Sequence, residues 1–156
     1  MNSVRYQVQI SDISAHQLRV ELRFIPSASQ HELSLPAWIP GSYMIRNFAR
    51  HIMQISARDT SGELALQQLD KQRWNLACRQ QEVTVSYLIY ANDLSVRAAY
   101  LDDETAILNP ACLCLAVSEQ THYPQQFELL RPEFHVTENW RVATALPRVE
   151  GTALLE

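Results

Sequence analysis

Glycine is scarce in this chain, occurring only at positions 41, 62 and 151. A phosphate cradle needs several closely spaced glycines for tight turns and close backbone approach, so the glycine-rich nucleotide-binding loops are excluded. Cysteine is equally sparse, and the three residues Cys78, Cys112 and Cys114 are too few and odd in number for a disulfide scaffold. The spacing of zinc fingers is absent too, so these thiols are expected to be buried in a sheet. None of the five histidines forms a His-x-x-x-His pair, and Gly-x-Ser-x-Gly does not occur. A helical zinc pair and a strained serine elbow are therefore both missing. No apolar run is long enough to span a bilayer, and the first residues lack the apolar core of a signal peptide, which implies a cytoplasmic protein. With a formal charge of -4 and no basic stripe, nucleic acid is not an expected partner.

What is present is alternation. Val4, Tyr6, Val8 and Ile10 interleave with Arg5, Gln7 and Gln9, and Leu18, Val20, Leu22 and Phe24 interleave with Arg19, Glu21 and Arg23. Period two with one wet face is the mark of half-buried antiparallel strands. Val83, Val85, Tyr87 and Ile89 repeat it most cleanly. Further strands are expected at Leu33 to Leu35, Ile52 to Ala57, Leu64 to Leu69, Trp74 to Cys78, Val96 to Leu101, Thr105 to Leu108, Cys112 to Val117, Phe127 to Leu130 and Trp140 to Leu146. The Asp59 to Gly62 cluster reads as a hairpin turn, and Asp102 to Glu104 as a solvated connection. Helix signals are confined to a turn or two within Met44 to Met53 and near Ser118 to Tyr123. The fold class is all-β: an antiparallel sandwich or an open, curved pair of sheets with little helix. At 156 residues one domain suffices, and such a chain buries roughly 70% of its unfolded surface.

One segment stands apart. From Leu35 to His51 two prolines bracket an Ala-Trp-Ile expected to be buried, and a Pro-Gly turn then delivers Tyr43, Arg46, Asn47, Arg50 and His51 within eleven residues. Prolines and glycine argue for a shaped loop rather than a helix or plain strand. Arg46, Arg50 and Arg97 could each receive a carboxylate through a planar fork, or pin loop carbonyls instead. Tyr43, Asn47, Asn92 and Asp93 complete a polar patch if the two loops meet. His51 either hydrogen-bonds a carbonyl or touches a ligand. Trp38 is read as a core or interface anchor, together with Trp74 and Trp140. No complete catalytic centre accompanies these residues, so no catalytic, cofactor-binding or metal-binding residue is assigned.

Leu35 to His51 resembles the N-terminal region of the glycyl aminopeptidase family of zinc metallopeptidases. The resemblance continues through Tyr90-Ala-Asn-Asp-Leu-Ser-Val-Arg-Ala-Ala-Tyr-Leu101, Ala106-Ile-Leu-Asn-Pro-Ala111 and Asn139-Trp-Arg-Val-Ala-Thr-Ala-Leu146, in the family's order. It implies a β-rich N-terminal domain of a larger protein, followed there by a thermolysin-like domain with a His-Glu-x-x-His zinc site and by a PDZ domain. This sequence has no His-Glu-x-x-His, so neither zinc ligands nor a general base map onto it. The implied role is a non-catalytic accessory domain, residues 1–154, with Leu155 and Glu156 read as a tag junction. Its parent would be a zinc aminopeptidase preferring glycine or alanine. Expected partners are its own catalytic domain and the parent's peptide substrate, with self-association through an exposed interdomain face. Trp38, Tyr43, Arg46, Asn47, Arg50, His51, Asn92, Asp93 and Arg97 are the candidate cleft or interdomain contacts. The alternatives are an independent β-sandwich module that binds peptide or protein, and a stand-alone hydrolase with a dispersed site.

Overall fold

The computed structural model describes residues 3–95, 98–130 and 133–149. Its strands follow the alternation. β1 (Val4–Asp12), β2 (Gln17–Phe24), β3 (Gln30–Ser34), β4 (Ile52–Asp59), β5 (Gly62–Glu63), β6 (Leu66–Gln68) and β7 (Arg73–Ala77) precede β8 (Val83–Tyr90). β9 (Tyr100–Leu101), β10 (Ala106–Ile107), β11 (Ala116–Val117) and β12 (Gln125–Leu129) complete the set. They form a six-stranded sheet in the order β12-β1-β2-β8-β4-β5, a four-stranded sheet β11-β3-β7-β6 and a small β10-β9 ribbon. Pairing is antiparallel except that β12 runs parallel to β1, with Tyr6 opposite Phe127. The fold is all-β, as the period-two pattern implies.

The alternating residues of β1, β2 and β8 fill one core with Leu33, Trp74 and Leu76 of the second sheet. Burying a large aliphatic or aromatic side chain contributes about 1.5–3 kcal/mol relative to exposure, so this row carries the fold. Two core tyrosines use their hydroxyls to hold the segment between β10 and β11. Tyr6 donates to Leu115 O at 2.9 Å; Tyr87 donates to Leu113 O at 2.7 Å and accepts from Leu115 N at 3.1 Å. Burial pushes both phenols well above their ordinary range, so they stay neutral donors. The fully buried imidazole of His31 makes a similar pin. Its Nε2 faces the N–H groups of Ser27 and Ala28 at 3.1 and 3.2 Å, which leaves Nδ1–H to donate to Glu119 at 2.9 Å.

Two expected strands are corrected. Cys112 does not begin a strand: a single helical turn, α1 (Pro110–Leu113), takes its place. Asn109 caps this turn by accepting from Ala111 N, and Pro110 occupies the first turn, where its missing N–H costs nothing. Cys112 is buried and Cys114 partly so, on a turn rather than on one sheet face. Residues 140–146 form no strand either. Val96, where another strand was expected to begin, lies outside the described residues; of residues 98–101, Tyr100 and Leu101 form β9.

Candidate functional site

Strand order explains why the two loops meet. β4 and β8 are antiparallel neighbours, with Ile52 opposite Ile89. The chain entering β4 therefore lies beside the chain leaving β8. This places His51 next to Tyr90, their ring centroids 6.4 Å apart. It also brings the Leu35–His51 loop against the corner at residues 91–95.

The loop is built in steps. Leu35 closes β3 against Gln72 O at 3.1 Å. Ile39 to Ser42 then form a tight turn closed by Ser42 N to Ile39 O at 3.1 Å, with Gly41 at φ 83°. Proline second and glycine third is what a type II turn requires, because only glycine takes that positive φ without strain. Ala37 O accepts from both Arg46 N (2.8 Å) and Asn47 N (3.2 Å), pinching the base of the loop. Asn47 adopts the left-handed conformation at φ 48°, which asparagine tolerates, and starts a 3₁₀ turn over Phe48–His51. Phe48 and Ala49 are buried and anchor that turn.

Ser42 is the hub. It is buried, its hydroxyl donates to Met44 O at 3.0 Å, and it accepts from Met44 N and from Arg46 Nε at 3.4 Å. The indole of Trp38 donates to Ser42 O. The Ser42 proton is thus committed to a backbone carbonyl rather than to a base, and the hydroxyl is not activated as a nucleophile. Arg46 reaches Asp93 Oδ2 at 3.7 Å across the two loops. Burial raises the Asp93 carboxyl, but the Ser95 N–H at 2.9 Å and the nearby Arg46 and His51 charges outweigh it and hold the group below its ordinary range. Burial, then the Arg50 charge, lowers the His51 imidazole, against a weaker upward pull from Asp93. Neutral His51 accepts from Arg50 Nε at 3.1 Å.

The two loops therefore join through Arg46, His51 and Asp93. Asn92 donates to Tyr90 OH at 3.0 Å, and Asn47 faces Gln72 at 3.5 Å. Tyr43 joins no polar patch: it is wholly exposed at the loop tip, followed by Met44 (62% exposed) and Ile45 (72%). Trp38 is half-exposed rather than buried. Arg97 lies outside the described residues. The residues that motif reading passed over are apolar: Met44, Ile45 and, on the facing corner, Leu94, 68% exposed. Their signal was visible, because three large apolar or aromatic residues directly follow a Pro-Gly turn, where the chain reverses at the surface.

The surface so formed is an apolar tip on a polar, cross-linked base. A crevice beneath it, about 10 Å³ in volume and lined by Phe48, His51, Tyr90 and Asp93, is too small for anything but a water molecule. Among the described residues no group of three or more His, Cys, Asp or Glu is placed to hold a metal ion, so the residues present do not fit a zinc site. Among them, too, no helix is long and apolar enough to cross a membrane. The arrangement suits contact with another surface.

Fold and loop together define an all-β domain with a shaped loop whose apolar tip stands in water. The chain belongs to the peptidase M61 N-terminal domain family, whose model matches residues 5–154. In that family the catalytic domain lies outside this region. The structure is also similar to a crystal structure of an aminopeptidase N family protein from Idiomarina loihiensis. The identity is 40% and the TM-score 0.90, over 97% of this chain and 25% of that one. The chain thus spans about a quarter of that protein's length. A mutant M1 zinc metallopeptidase from Deinococcus radiodurans bound to a Tyr-Ser-Ala substrate matches at 10% identity and a TM-score of 0.38, over 60% of this chain and 20% of that one. At that level the likeness carries no argument. No curated protein matches the chain.

Proposed function

We propose that residues 1–154 are the accessory domain of a zinc-dependent aminopeptidase, packing on the catalytic domain and walling one side of the substrate cleft. The single observation that carries this reading is the family match over residues 5–154, set against a 40% identical relative four times as long. The geometry supports it. Tyr43, Met44, Ile45 and Leu94 are large side chains left in water, held out by a base that Ser42, Ala37 and Arg46 make rigid. Exposed apolar clusters of this kind mark interaction surfaces.

In this reading Trp38, Tyr43, Arg46, Asn47, Arg50, His51, Asn92, Asp93 and Arg97 face the cleft or the interdomain seam. Zinc and the general base belong to the catalytic domain, and the substrate is a peptide whose N-terminal residue is glycine or alanine. A cytoplasmic location goes with it, and the isolated chain self-associates through the uncovered tip. The test is to replace Tyr43 and Arg46 by alanine, singly, in the full-length enzyme, with folding checked. The expected result is a raised KM or weakened domain association. Unchanged kinetic constants together with unchanged association would reject the placement. A reading frame that stops near residue 156 would instead favour an independent binding module.

A further inference from the structure

Residues 140–146 carry a strand pattern without a strand. Trp140, Val142, Thr144 and Leu146 alternate with Arg141, Ala143 and Ala145, and Pro147 ends the run. Tryptophan, valine and threonine favour extended, half-buried backbone, and proline stops a ladder. Trp140 packs against the core, and its N–H donates to Thr137 O at 3.0 Å. Beyond it, among the described residues, no backbone hydrogen bond joins residues 141–146 to either sheet. Leu146 N reaches only Thr144 Oγ1, at 3.1 Å. Val142 and Leu146 are 37% and 54% exposed.

Among the described residues the two sheets end at β12, β5, β11 and β6, and the segment pairs with none of these strands. With Arg141 its one charge, it is the sort of low-charge, strand-prone stretch that natural proteins cover, because unpaired backbone and alternating apolar side chains invite aggregation.

We propose that residues 140–146 are a docking strand that adds, by backbone hydrogen bonding, to an open sheet edge in the part of the polypeptide following this domain. The inference rests on the reading of the chain as the N-terminal part of a longer enzyme. The occupant follows from connectivity: the relative matched along 97% of this chain carries three quarters of its length outside the match, and in a domain that is N-terminal in its family that remainder follows Leu146 in sequence. A covalent link would make such an edge an intramolecular partner at raised effective concentration. Trp140, fixed on the core, sets the direction of the strand. Alternation then turns Val142, Thr144 and Leu146 to one face, while Ala143 and Ala145 leave room for close approach on the other.

Amide hydrogen exchange on the full-length protein and on the 156-residue chain tests this. The expected result is exchange over 141–146 roughly 100-fold slower in the full-length protein than in the short chain, where it runs near the unprotected rate. Thr144→Pro in the full-length protein should abolish that protection while leaving β1, β2 and β8 protected. Fast exchange in both proteins would overturn the proposal. So would protection already present in the short chain, whether independent of dilution (its own sheet edge) or lost on dilution (a second copy). The underlying reading fails separately: if Tyr43→Ala and Arg46→Ala alter the enzyme while residues 141–146 exchange fast, only the docking strand is wrong.

Discussion

The β1-β2-β8 triplet and the Leu35–His51 loop solve opposite problems. In the triplet the apolar side chains face inward and the polar ones are wetter, so burial selects the face while the antiparallel ladders pair the backbone. The loop inverts this. Its polar groups, Ser42, the Ala37 carbonyl and Arg46, sit inside as cross-links, while Tyr43, Met44 and Ile45 point into water. Stability resides in the first region, and the proposed recognition in the second. The same kind of substitution should therefore have different consequences in each.

The largest effect is expected in the triplet. Leu22 is fully buried, and Leu22→Ala should cost about 2–5 kcal/mol in chemical denaturation. A loss much below that would mean the core collapses around the gap. Next comes Tyr87→Phe. It preserves the ring but removes the oxygen shared by Leu113 O and Leu115 N, stranding two buried backbone groups at a cost of about 1–3 kcal/mol. A neutral result would show that water reaches the α1 segment.

Gly41→Val crosses to the loop. No heavy atom lies within 4 Å of a Cβ built there, so the expected penalty comes from the positive φ, about 1–3 kcal/mol. Local loosening of residues 36–47 should accompany it, read as faster amide exchange. At the tip, Tyr43→Ala should change the stability of the isolated chain by no more than about 0.5 kcal/mol. Its effect should appear in the full-length enzyme instead. A large destabilisation of the isolated chain would make Tyr43 a structural residue and break the comparison.

How much of this could be read from the residues differs between the two regions for a physical reason. Alternation at β1, β2 and β8 reports burial directly, so those strands and the all-β class were legible. Partnership is not a local property. Nothing in Phe127 to Leu130 says that β12 should pair in parallel with β1, and nothing in residues 140–146 says that their alternation would find no strand partner among the described residues. The α1 turn was legible but was outweighed by the apolar run that follows it: Asn109-Pro110 is an N-cap followed by a first-turn proline. In the loop, the Pro-Gly turn was anticipated, and the meeting with Asp93 stood only as a condition for a polar patch. The burial of Ser42 and exposure of Trp38 were not anticipated, because a side chain's depth in a loop depends on cross-links between residues that show no period.

The smallest predicted effect lies where the regions join, at His51 before β4. Burial, and then the Arg50 charge, disfavour its protonated form, so its folded pKa lies below the ordinary 6.5. In the unfolded chain the imidazole titrates near 6.5. Between the folded value and 6.5 the unfolded chain binds more protons, so stability falls as pH drops through that window and is indifferent to His51 above it. His51→Gln should remove this part of the acid sensitivity. Asp93 works in the other window: its lowered carboxyl contributes stability near neutrality that is lost only as pH falls below the ordinary carboxylate value and through the folded one. An NMR titration of the His51 ring should give a midpoint below 6.5, moved upward by Arg50→Gln and further downward by Asp93→Asn. A midpoint at or above 6.5 would mean that the burial of His51 and its Arg50 contact are not kept in solution. The loop would then be looser than its hydrogen bonds imply, and the contrast between a rigid base and an exposed tip would lose its footing.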